Sequence, residues 1–166
     1  MSDGLLAGRT PDCIPLIPVV ESEFDAWLKR QNEVRRNWLT ATAFKAKPGR
    51  FSLMPDAQGR LQAVIVGIAK TDDLWALGGL PTSLPEGDYA LDVTLDAPQL
   101  ERLTLGWALG AYQSTRYKAA KRAPARLALD PVCDVGRIRC QVAATTLVRD
   151  LINTPAEDMM PEHLAE

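Results

Sequence analysis

Catalytic and ligand-binding chemistry needs side chains that can converge, and this chain offers few. It has one histidine, His163, so any Ser-His-Asp or Cys-His site would have to use it. His163 is the fourth-last residue, with no partner spaced to make it a base or a metal ligand, and reads as a solvated helix residue. The three cysteines, Cys13, Cys133 and Cys140, contain no C-x-x-C pair and leave one over, which argues against a disulfide framework. Cys133 and Cys140 are seven apart and could share a helix face. Without further Cys or His nearby they read as core or half-buried thiols, not as half of a zinc site.

Asp88, Asp92 and Asp96 recur every four residues. In GDYALDVTLD, which reads as a strand, that spacing puts them on one water-facing side, and a hard-metal site would need oxygen ligands from elsewhere. The glycines of ALGGL and GWALG match no phosphate-cradling pattern. The cluster RYKAAKRAPAR, with Lys118, Lys121, Arg122 and Arg126, could meet phosphates, with Tyr112 and Tyr117 available for stacking. Against that, cations at a helix C-terminus complement its dipole, and the chain as a whole is acidic, with a net charge of −2.

The elements that must position these residues follow from periodicity and punctuation. CIPLIPVV is a β-branched run whose Pro15 and Pro18 predict at best an edge strand. Ser22 opens a helix with Phe24, Trp27, Leu28, Val34, Trp38 and Leu39 at helical spacing, broken near Gln31 and Asn32. Phe51 to Ala69 reads as two antiparallel strands around a turn at Pro55 to Arg60, and the apolar LQAVIVGIA as the central strand. Thr71 to Gly79 predicts a short helix stopped by Gly78 and Gly79. A strand over Tyr89 to Leu95 and a buried helix over Pro98 to Lys118 follow. Gly106 and Gly110 in that helix each cost roughly 1 kcal/mol against Ala, which implies a close neighbour. RLALD is a last short strand, and Asp134 caps a helix to about Asn153, where Pro155 disfavours the α region for Thr154.

Helices alternating with strands, at least one strand pair antiparallel, predict an α/β fold with a mixed β-sheet flanked by helices. A chain of 166 residues, 46% hydrophobic and 24% charged, supports one well-buried domain. The N-terminus lacks a signal-peptide pattern, and no apolar run approaches the ~20 residues needed to cross a bilayer, so a soluble, cytoplasmic protein is expected. At the other end Pro161 suits the first position of a new helix. Only the five residues Glu162 to Glu166 follow it, so the sequence is expected to stop inside an element.

The closing run RDLINTPAEDMMPEHLAE resembles the segment that opens the catalytic domain of peptidase M17 leucine aminopeptidases, where R-D-L-x-N-x-P-x-N/D marks the domain junction. The matching positions are Arg149, Asp150, Leu151, Asn153, Pro155 and Asp158. Glu157 replaces a common asparagine and Met160 a common glycine. WALGGLP, LPEGDYAL and GWALGAYQSTRYK are also similar to the amino-terminal domain of the family's bacterial branch.

The resemblance implies residues 1–133 as a non-catalytic α/β domain, 134–154 as a linker helix and 155–166 as the start of a catalytic domain. It implies a cytoplasmic exopeptidase that removes N-terminal residues, often leucine, from peptides with two divalent ions (zinc, manganese or magnesium), assembled as a hexamer. The family's metal ligands lie in G-x-x-F-D-S-G-G-like and N-T-D-A-E-G-R runs, neither of which occurs here, so no catalytic, metal or cofactor residue carries over to this chain. The expected partner is its own C-terminal catalytic domain. The alternatives are a stand-alone α/β ligand-binding module and a nucleic-acid-binding domain.

Overall fold

The computed structural model describes residues 3–117, 119–120, 122–155 and 158. His163, Lys118, Lys121, Glu157, Met160 and Pro161, singled out above, lie outside the described residues.

Six strands form one mixed sheet: β1 (Leu5–Leu6), β2 (Ile14–Val20), β3 (Phe51–Pro55), β4 (Leu61–Ile68), β5 (Asp88–Leu91) and β6 (Arg126–Ala128). Their spatial order is β1-β6-β5-β2-β4-β3, parallel throughout except for the β3–β4 hairpin. Among the described residues five α-helices accompany the sheet: α1 (Phe24–Lys29), α2 (Glu33–Ala41), α3 (Leu80–Ser83), α4 (Ala97–Gly110) and α5 (Val135–Asn153).

Alternation along β2 and β4 divides the core between the two faces. Leu16, Val64, Val66 and Ile68 join Tyr89 and Leu127 against Leu80, Leu100, Leu103, Trp107, Ile138 and Val142 of α3, α4 and α5. Ile17, Val19, Ala63 and Ile65 face the other way, onto Phe24 of α1 and Leu39 of α2. The result is a mixed sheet between two helical layers, as the alternation of elements predicts.

The Pro-bearing run CIPLIPVV is not an edge strand. β2 lies inside the sheet, parallel to both β4 and β5. The Leu16 carbonyl accepts from Asp92 N (2.8 Å), so even-numbered residues of β2 turn their polar groups toward β5 and odd-numbered ones toward β4. Pro18 therefore faces the β5 side, where pairing has already ended at Leu16–Leu91. Pro15 faces the β4 side, where pairing begins only at Leu16–Val64. Neither missing N–H removes a ladder bond. β4 is interior as well, but it sits one strand from the edge, and β2 and β5 hold the centre.

Other boundaries shift for local reasons. Ser22 caps nothing: it lies in a 3-10 turn (Glu21–Glu23) that runs into α1, while Asn32 caps α2 by accepting from Arg35 N at 2.9 Å. The chain from Thr71 to Gly79 forms successive turns closed by bonds such as Ala76 N to Asp73 O and Gly78 N to Trp75 O, and the helix comes only at α3. Its carbonyls are turned against α4: a Cβ at Gly106 would lie 1.6 Å from Leu74 O, and one at Gly110 1.8 Å from Gly78 O. The close neighbour expected from GWALG is thus this run of turns. The strand expected to reach Leu95 stops at Leu91, and a two-residue strand, β1, precedes the others; too short to carry a pattern, β1 is tied down by the Trp107 indole N–H donating to Gly4 O at 3.1 Å.

Candidate functional site

Of the six motif residues, Arg149, Asp150, Leu151 and Asn153 lie on the last turns of α5 and Pro155 and Asp158 beyond it; α5 begins as its sequence predicts, with the Asp134 carboxylate accepting from Arg137 N at 3.0 Å. Opposite it stands the C-terminus of α4. That helix stops at Gly110 and not at Lys118. Arg149 Nη1 donates to Leu109 O at 2.6 Å, filling an acceptor that a continuing helix would have given to its own fourth-next N–H. A cation at that end also suits the α4 dipole, and the Arg149 guanidinium lies 5.3 Å from the centre of the Tyr112 ring.

Tyr112 is the hub. Its hydroxyl donates to the Asp150 carboxylate at 2.7 Å and accepts from Asn153 Nδ2 at 3.1 Å. One turn further on, Thr154 Oγ1 donates to Asp150 O (2.7 Å) and accepts from Arg116 Nη1 (3.3 Å). Tyr117 donates its phenol proton to Asp158, and this bond raises the Tyr117 pKa because ionisation would abolish it. A cleft of about 270 Å³ remains between Ser114–Tyr117 and the Asp150–Thr154 turn.

Of the six motif residues, Arg149, Asp150, Asn153 and Asp158 thus meet the segment AYQSTRY that follows α4. Leu151 and Pro155 are exposed. Tyr112 and Tyr117, available by sequence for stacking on bases, instead donate their hydroxyls to aspartates about forty positions away. No local periodicity could reveal that pairing.

The other candidates disperse. Asp88 pairs with Arg126 at 2.7 Å, Asp92 is exposed, and Asp96 closes a capping box with Gln99 at the start of α4. Arg122 donates to the carbonyls of Leu84 and Thr82. The described arginines of the basic cluster, expected on a helix C-terminus, lie instead between the end of α4 and the first residue of β6, and each has an internal partner. Cys13 and Cys133 are buried and Cys140 is exposed; burial pushes the Cys133 thiol pKa up. Among the described residues no three His, Cys, Asp or Glu side chains are grouped to hold a metal. No helix among them is long and apolar enough to cross a membrane.

A mixed sheet between helical layers, with a long helix fastened back by polar contacts, defines the class: an α/β domain. Residues 14–130 match the family described as M17 aminopeptidase, N-terminal domain, and the chain belongs to that family. It is similar over 99% of its length to the cytosol aminopeptidase of Coxiella burnetii, at 33% identity and a TM-score of 0.88, and covers 36% of that chain. The bottromycin maturation enzyme BotP in complex with Mn (20% identity, TM-score 0.65, 92% of this chain and 34% of that one) shares the fold. So does a mutant of tomato leucine aminopeptidase (18% identity, TM-score 0.65, 95% and 38%). The chain spans little more than a third of the length of each. No curated protein matches it.

Proposed function

We propose that this chain is the non-catalytic amino-terminal domain of a cytoplasmic, metal-dependent leucyl aminopeptidase, with residues 1–133 as the domain, 134–154 as the linker helix and 155–166 as the start of the catalytic domain. Its role is to shape hexamer assembly and peptide access to a catalytic centre carried by the C-terminal domain. There two divalent ions, zinc, manganese or magnesium, would polarise the scissile carbonyl and supply a hydroxide-like nucleophile.

The observation that supports this reading best is the family match, which ends at residue 130, just before α5. Arg149, Asp150 and Asn153 then fasten the far end of α5 back onto the end of α4 and onto Tyr112 just after it. Those contacts suit a junction.

Assayed with a leucine chromogenic substrate and added manganese or zinc, the 166-residue chain should show no turnover above buffer. The polypeptide read onward through an N-T-D-A-E-G-R-like run should show turnover. Activity of the short chain that survives repurification would overturn the assignment.

A further inference from the structure

β2 and β4 are adjacent and parallel, yet the chain leaves β2 toward α1, on the Phe24 and Leu39 face of the sheet, and leaves β4 toward α3, on the Leu80 face. Where neighbouring parallel strands send their connections to opposite faces, their carboxyl ends border a crevice that no connection covers, and such crevices take ligands. Beside the carboxyl end of β4 lies a cavity of about 170 Å³. Phe51 of β3, Ile68 of β4 and Leu80 of α3 give it apolar walls, and Trp75, 55% exposed, stands at its side.

Asp73 is the one charged residue among the described residues of that lining. Its Oδ1 accepts from Trp75 N at 2.9 Å, which fixes the carboxylate beside the indole, and no other hydrogen bond or ion pair engages the carboxylate among the described residues. Lys47, Arg50 and Lys70 adjoin the lining in sequence, but all three are exposed and none forms part of it. Size and chemistry then select the occupant. A cavity of about 150 Å³ holds a benzene ring, so this one admits a single six-membered ring and little more. Phe51 and Trp75 favour an aromatic ring through edge and face contacts. A lone carboxylate next to an indole favours a cation, by a charge-assisted hydrogen bond and by attraction to the ring face.

We propose that this cavity binds an aromatic primary amine, with the ring among Phe51, Ile68 and Leu80 and the ammonium group on Asp73 and Trp75. None of these residues belongs to the junction run, and the site does not depend on the reading given above.

Nuclear magnetic resonance of the isotope-labelled 166-residue chain, titrated with phenethylamine, is the test. The amide signals of Ala69, Trp75 and Gly79 and the Trp75 indole signal should shift together and saturate, with a Kd on the order of 1 mM for so small a ligand. Butylamine keeps the cation and lacks the ring, and phenylpropionate keeps the ring and reverses the charge; each should bind at least ten-fold more weakly. Asp73→Asn retains the oxygen that accepts from Trp75 N and removes the charge, so it should weaken phenethylamine binding about ten-fold without weakening that of phenylpropionate. A Cβ built at Gly79 meets nothing within 4 Å, so Gly79→Leu adds its side chain to the cavity lining without displacing backbone and should abolish the saturable shift. Shifts that never saturate would overturn the proposal. So would butylamine or phenylpropionate binding as tightly as phenethylamine, or phenethylamine binding unchanged in Asp73→Asn. Should Gly79→Leu disturb the signals of the core strands, Asp73→Asn decides alone.

Discussion

Tyr89 is fully buried in β5, its hydroxyl donating to Pro85 O at 3.0 Å and its ring tilted against Trp107 with centroids 6.1 Å apart. Burial penalises the phenolate and pushes its pKa up to about 12 from 10.0, with the Arg122 cation opposing the shift. Because the folded value is the higher, the contribution to stability is complete below pH 10 and is lost as pH rises toward 12. About two units of difference correspond to about 3 kcal/mol. Tyr89→Phe should cost about 1 kcal/mol at neutral pH through the lost hydrogen bond. Its stability should then fall less steeply than that of the parent between pH 10 and 12. Urea titrations across that range check this, and parallel slopes would refute it. Residues of this scale were legible where the chemistry is local: Asp134 announces its cap from sequence. Arg122 and Arg149 were not, because the carbonyls they reach lie 38 and 40 positions away.

Among elements, α4 and the turns from Thr71 to Gly79 are mutually dependent. Gly110 is poor for a helix, and alanine there should add roughly 1 kcal/mol by propensity alone. The structure reverses that expectation, since the new Cβ would meet Gly78 O at 1.8 Å and Gly78 C at 2.6 Å, backbone atoms that cannot rotate aside. Gly110→Ala should therefore destabilise the chain by about 3 kcal/mol or more, beyond the usual range for overpacking by one methyl. Chemical denaturation decides the sign, and a neutral or stabilised variant would show that α4 and the turns separate freely. The GWALG spacing pointed to a close neighbour but not to its kind. A strand, a helix and a run of turns all remove side chains from the facing helix in the same way.

For the molecule as a whole, the two faces of the sheet share β2 and β4, so their cores should be lost together. Leu39 on one face is 1% exposed and Leu103 on the other 0%. Leu39→Ala and Leu103→Ala should each lower stability by about 2–5 kcal/mol while keeping a single transition. Far-ultraviolet circular dichroism and tryptophan fluorescence should report the same midpoint in both variants. A separated melting of α1 and α2 in Leu39→Ala would mean that the sheet does not couple its layers.

Period and punctuation determined the fold class, the β3–β4 hairpin, the break between α1 and α2, and the start and end of α5, because each depends on residues within a few positions of one another. The same is true of the resemblance carried by RDLIN and GWALG, of which the second lies within the residues that the family match covers. Only the tertiary structure decided that a strand with two prolines could lie inside the sheet, since that depends on where its neighbours begin and end. It alone joined the two motifs through Tyr112. Contacts between distant positions leave no local signature, because the free energy that selects them arises only when the elements are packed.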